Sequence, residues 1–120
     1  MAQFKQLRIV SYIMHGFNQG RVVVKDLTTG SHLDVILLQE HWLTPANLNK
    51  FDQCFDNYFT FGCSVMANAI DAGIIKGRPF GGVISMISND LRKYTATIAC
   101  SDRYTVIKVY NLIIINLYKP

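Results

Sequence analysis

Seven short runs rich in β-branched and aromatic residues recur along this sequence: "QLRIVSYI", "DVILLQE", "YFTFG", "GGVISMIS", "YTATIAC", "YTVIKVY" and "LIIINLY". Such side chains lose rotamer freedom in a helix and pack well on a pleated surface, so the chain is constrained to build sheet. Several runs are apolar at successive rather than alternate positions, which predicts strands covered on both faces. The run at 112–118, "LIIINLY", reads as a buried strand; it is far shorter than the roughly 20 residues of a spanning helix.

Two segments carry helical signals instead. Residues 20–29, "GRVVVKDLTT", place Val23 and Leu27 at helical spacing. In "TPANLNKFDQCF", Thr44 is an N-cap candidate, Pro45 suits the first helical position, and Leu48, Phe51 and Phe55 share one face. The order strand, helix, strand, helix and then consecutive strands predicts an α+β fold, a layered sandwich with partly antiparallel sheets. Residues 64–79, "SVMANAIDAGIIKGRP", read as a long loop with a basic end at Lys76 and Arg78. No repeat, low-complexity tract or linker divides the chain, so residues 1–120 are expected to form a single domain.

Half of the 120 residues are hydrophobic and only 17% are charged. That composition suits a globular unit, and the low charge fraction suggests that some apolar surface expects further protein. Twelve Lys and Arg against eight Asp and Glu give a net charge of +4, scattered without a run. This permits a phosphate-rich partner without demanding one. Cys54, Cys63 and Cys100 lack C-x-x-C or His-paired metal spacing, so they read as small core residues with free thiols in a reducing compartment. Lys5 and Arg8 interrupt the N-terminus where a secretory signal would be apolar. The expected location is intracellular, nuclear or cytoplasmic, with no membrane partner.

Four stretches can carry chemistry. "DVILLQEHWL" delivers Gln39 and Glu40 to the end of a buried strand, where a carboxylate can bind a hard cation such as Mg²⁺; its plain reading is a solvated residue opening a turn. "GRPFGGVISMIS" pairs Gly81 and Gly82, which allow close approach, with Arg78, a possible phosphate contact; its plain reading is a turn. "NLYKP" sets Tyr118 at a strand end, where a phenol can donate to an anion or simply pack. "SYIMHGFNQG" empties a strand into a loop carrying His15, Asn18 and Gln19, with Ile13 at the junction as one more inward position after Leu7, Ile9 and Ser11. None of His15, His32 and His41 has zinc-like spacing to another.

In this order and spacing, "LRIVSYIMHGFNQG", "DVILLQEHWL", "GRPFGGVISMIS" and "LIIINLYKP" resemble the endonuclease/exonuclease/phosphatase superfamily, the deoxyribonuclease I-like fold. The wording is most similar to the apurinic-type endonuclease domain of non-long-terminal-repeat retrotransposons. The resemblance implies the N-terminal half of a four-layer α/β/β/α sandwich, with the C-terminal half of the domain missing. It implies cleavage of phosphodiester bonds with Mg²⁺ or Mn²⁺, DNA as partner, and a reverse transcriptase in the parent polyprotein. By the same resemblance Glu40 binds the metal and Tyr118 lies by the scissile phosphate as a catalytic residue. His15 contributes where many relatives have a polar or acidic residue, and Asn18 and Arg78 contact phosphate or DNA.

The departures are specific. The family's first motif reads Ser, aromatic, Asn, whereas this chain has Ser11, Tyr12 and Ile13. The family's Gly-Asp-x-Asn and closing Ser-Asp-His do not occur; "SDR" at 101–103 precedes the tyrosine motif and carries Arg103 in place of histidine. The expectation is a fragment that does not hydrolyse DNA by itself. A non-catalytic remnant with weak nucleic-acid binding, and a phosphoinositide or phospholipid substrate, stay open beside it.

Overall fold

All seven β-branched runs form strands in the computed structural model, which describes residues 6–30, 32–63 and 81–118. They are β1 (Ile9–Ile13), β2 (Val35–Gln39), β3 (Tyr58–Phe61), β4 (Val83–Ser88), β5 (Thr95–Cys100), β6 (Tyr104–Val109) and β7 (Leu112–Leu117). Helix α1 (Phe17–Gly30) joins β1 to β2, and the short helix α2 (Lys50–Cys54) precedes β3. The class is α+β, as its strand and helix order predicts.

The first sheet has the order β1-β2-β4-β3. Strands β1 and β2 are parallel because α1 carries the chain back along the sheet, while β4 runs antiparallel to both β2 and β3. The second sheet is an antiparallel meander, β5-β6-β7, with an irregularity between Thr97 and Ala99. A 3-10 helix at Asn89–Tyr94 connects the sheets, and its Leu91 is fully buried. Strands β6 and β7 lie over β2 and β4.

Two apolar cores follow from this stacking. Phe17 and Val24 of α1 and Phe51 of α2 pack on Ile36, Leu38, Ile84 and Met86, the outer face of the first sheet. Val35, Leu37 and Ile87 on its other face pack against Ile107, Val109 and Ile114 of the second. Strand β2 is therefore buried at all five positions, which explains why "VILLQ" shows no alternation.

Helix α1 begins three residues before the stretch its sequence predicts, so Asn18 and Gln19 lie in its first turn rather than in a loop. Gly16 at φ +96 makes the turn out of β1, and the Phe17 ring anchors the new turn in the core. Gly20 permits the close crossing of β1's end, since a Cβ there would stand 2.8 Å from the Met14 Cα. Burial of Phe17 and Val24 outweighs the modest helix propensity of three consecutive valines.

The stretch 44–55 forms two pieces, a 3-10 turn at Pro45–Asn47 and then α2. Thr44 does not cap the backbone; its hydroxyl accepts instead from the Asn47 side chain at 3.1 Å. Asn47 and Asn49 are residues whose side chains compete with helical hydrogen bonding, and they stand at the break.

Strand β7 corrects the expectation of a buried strand. It lies at an edge, with Ile113, Ile115 and Leu117 more than half exposed on the outer face and Ile114 and Asn116 buried on the inner one. Three isoleucines in succession read as two-sided burial, yet among the described residues only one face is covered. Ile13 likewise lies on the side of the first sheet that faces the second but is 40% exposed, because β7 lies over β2 and β4. Three layers are visible among the described residues: helices, first sheet, second sheet. None of the described helices is long and apolar enough to cross a membrane.

Candidate functional site

The carboxyl ends of β1, β2, β3 and β7 and the amino end of β4 meet at one end of the sandwich. Backbone hydrogen bonds lace this end together. Met14 N donates to Gln39 O, Gly16 N to Glu40 O and Phe17 N to His41 O, each at 2.8 Å. On the other side Trp42 N donates to Gly81 O at 2.9 Å. His15, Glu40 and Trp42 all take positive φ, between 53 and 60. Non-glycine residues enter that region at a cost, so the laced loops hold them there.

Two of the glycines at this end, Gly82 and Gly16, are required by close approach. A Cβ on Gly82, at φ +91, would lie 2.3 Å from the His41 ring, and one on Gly16 would lie 2.6 Å from the Trp42 ring. His41 and Trp42 thus cover the two glycines where side chains could not fit. The close approach expected of "GG" is made by the imidazole of His41.

Glu40 is the meeting point of the residues singled out in the sequence. Its Oε2 lies 3.4 Å from His15 Nδ1. The Tyr118 phenol comes within the influence of the same carboxylate. Hydrogen bonding toward Glu40, then desolvation and the carboxylate's charge, holds the phenol above its ordinary pKa, so Tyr118 remains protonated. Glu40 follows β2 of the first sheet and Tyr118 follows β7 of the second, so the two come together only because the sheets stack.

His15 also lines a cleft of about 350 Å³ with Asn18, Gln19, Trp42 and Lys50. The first turn of α1 opens into it, and free N–H groups of a helix start beside an ammonium favour an anion. Asn18 is therefore grouped with His15 on the cleft. Arg78 and Lys76 lie outside the described residues.

The donor set at Glu40 comprises one carboxylate, an imidazole and a phenol. Among the described residues no three His, Cys, Asp or Glu side chains cluster to hold a metal. Mg²⁺ and Mn²⁺ sites that rely on one carboxylate take their other oxygens from water and substrate phosphate, and Glu40 fits that minimal kind of site.

Beneath the site lies a polar network that the motifs did not reveal. Gln39 Nε2 donates to Ser11 Oγ at 3.0 Å and to Asn116 Oδ1 at 2.8 Å, and Asn116 Nδ2 donates to Leu38 O and Ile84 O at 3.1 and 3.0 Å. Ser85 and Thr105 share a further bond of 2.6 Å between the sheets. The available signal was an amide inside an apolar run, Asn116 in "LIIINLY", since a buried amide must find partners. Asn116→Ala is expected to destabilise the chain by about 2–4 kcal/mol, because it removes three bonds and opens a cavity. A urea midpoint within the error of the unsubstituted chain would show that the network is not formed; Leu117→Ala, on the exposed face, is the control.

No protein-family model, no curated protein and no solved structure matches this chain.

Proposed function

We propose that this chain is part of a divalent-metal-dependent phosphodiesterase acting on DNA, built on a deoxyribonuclease I-like sandwich of the endonuclease/exonuclease/phosphatase superfamily. The observation that supports it is the 2.8 Å bond from Gln39 Nε2 to Asn116 Oδ1, which sets the end of β2 that carries Glu40 against the end of β7 that carries Tyr118. Two motifs far apart in sequence and on different sheets supply one site, with His15 beside it.

In this reading Glu40 holds Mg²⁺ or Mn²⁺, and the ion supplies charge stabilisation to a bound phosphate. Tyr118, kept protonated, donates to a phosphate oxygen. His15, Asn18 and the first turn of α1 face the cleft where the nucleic-acid backbone would run, and Lys50 balances its charge. Arg78 is assigned to DNA by the resemblance alone. Hydrolysis also needs a base for the attacking water. The 120 residues contain neither the Gly-Asp-x-Asn nor the Ser-Asp-His from which the family draws that base and its phosphate-facing imidazole. The chain is expected to bind and not to cut.

Titration with Mn²⁺, followed by the loss of free-ion spin resonance, tests the assignment. Saturable binding should weaken at least about tenfold in Glu40→Gln, the scale of a lost ligand. Binding indifferent to Glu40→Gln removes the metal site and this reading with it. Nicking of supercoiled plasmid that depends on Glu40 would overturn the prediction of inactivity.

A second reading, a non-catalytic nucleic-acid-binding remnant, is favoured by Ile13. It pairs with Gln39 in the β1–β2 register, one residue from Glu40, where the family's motif has asparagine. An apolar side chain there gives a metal's waters no partner. Ile13→Asn separates the two: it should tighten Mn²⁺ binding in the first reading and leave it unchanged in the second.

A further inference from the structure

We propose that Cys63 and Cys100 form a redox pair, which a peroxide converts to an intramolecular disulfide tying the two sheets together at the end that carries Glu40 and Tyr118. The two residues lie on edge strands of different sheets: Cys63 just beyond β3, Cys100 at the end of β5.

The strand registers bring them together. Phe61 pairs with Ser85, Ser85 Oγ meets Thr105 Oγ1 at 2.6 Å, and Thr105 pairs with Cys100. One row of residues therefore crosses both sheets, from β3 to β5. Cys63 follows Phe61 by two positions and so shares the face that looks toward the second sheet. Between them Gly62 lets the chain hug β4, since a Cβ there would stand 2.8 Å from Val83 O. The outcome is that the Cys63 and Cys100 thiols, both half-buried and both free, face one another across the two sheets. Cys54 ends α2, on the opposite side of the first sheet, and packs against that helical core.

The chemistry balances with hydrogen peroxide as the oxidant. The sulfur of one thiol attacks one peroxide oxygen, the O–O bond breaks, and a sulfenic acid and one water form after proton transfer. The sulfur of the other thiol then displaces the sulfenic hydroxyl as a second water and the S–S bond forms. Two thiols lose two protons and two electrons, and the peroxide is reduced to two waters. Burial first, then the neighbouring Cys100 and the charge of Asp102, raise the Cys63 thiol, so at neutral pH it reacts slowly until a peroxide is present in excess. Glu40 follows a strand of one sheet and Tyr118 a strand of the other, so a covalent tie at this end fixes the gap between them.

Treatment of the folded chain with hydrogen peroxide, alkylation and peptide mapping tests the pair without any substitution. The expected result is an intact mass lower by about 2 Da, a Cys63–Cys100 linked peptide and an alkylated Cys54. The thermal midpoint should rise by roughly 10 °C and fall back on reduction, as for a loop of this size closed by a bridge. Cys54→Ser should leave the bridge intact and Cys100→Ser should abolish it. A bridge to Cys54, a bridge between two chains, sulfinic acid at either position, or free Cys63 and Cys100 after peroxide overturns the proposal. A bridge that forms without raising the midpoint overturns the claim that it ties the sheets.

Discussion

Acidification from about pH 7 to about pH 4 is expected to cost this chain roughly 3 kcal/mol of stability through one side chain, His41. The imidazole is fully buried, stacked against Gly82 and edge-on to Phe51 at 5.8 Å. Its Nδ1 accepts from Leu43 N at 2.9 Å, which places the proton on Nε2, an atom without a hydrogen-bond partner among the described residues. Desolvation lowers the folded pKa from 6.5 to about 4, and no group among the described residues repays a second proton.

The sign follows from proton counting. Below about pH 6.5 the unfolded chain protonates His41 while the folded chain resists until about pH 4. In that window the unfolded state binds more protons, so stability is full above it and falls as the pH drops. Urea unfolding measured in steps across the window should show a steady loss in the parent chain and a flatter profile in His41→Gln. A parent profile flat between these limits would mean that the ring is solvated in the folded state.

Phe51→Ala should have a still larger effect, about 3–5 kcal/mol, the range for deleting a fully buried phenyl ring. Phe51 is 0% exposed and is the hub of an aromatic cluster, with Phe17 at 5.0 Å in an edge arrangement and Phe55 at 6.4 Å. It fastens α2 and the start of α1 to the first sheet, beneath the His41 ring. Domains have only about 5–15 kcal/mol of stability in all, so the substitution should lower the thermal midpoint by 10 °C or more, or abolish a cooperative transition (roughly, by size scaling). A shift of only a few degrees would mean that the core can collapse around the lost ring. Ile115→Ala, on the bare face of β7, is the matched control and should change stability by less than about 1 kcal/mol.

That contrast between Phe51 and Ile115 marks where sequence reasoning succeeds and where it stops. Leu48, Phe51 and Phe55 read as one apolar face in the sequence and do pack into one core, although Leu48 precedes α2 and Phe55 follows it, because the spacing of apolar residues is a local property. The run "LIIIN" has no comparable information about which of its faces is covered. Whether β7 is central or at an edge depends on what lies beside it, and no side-chain pattern within seven residues encodes that. The glycine pair shows the intermediate case: close approach was legible at Gly82, while the identity of the approaching group, the His41 ring, was not.

The candidate site divides the same way. Glu40 at a strand end, Tyr118 at another and His15 in a turn are each visible as chemistry placed where rigid scaffold meets solvent. Gln39 and Asn116 were invisible as partners although they hold the sheets together below the site, since amides read as surface residues until burial demands hydrogen bonds of them.

By itself the sequence determined the strands, the apolar helical positions, the close approach at the paired glycines and the kinds of side chain available at the strand ends. Each of these is set by torsional preference or by the period of a few neighbouring residues. Only the tertiary structure decided that Glu40 meets Tyr118, that Cys63 meets Cys100, that Gln39 finds Asn116 and that β7 presents an apolar face to solvent. Those outcomes depend on how one sheet stacks on another, which is governed by the summed burial of residues far apart in the chain and by no local pattern within it.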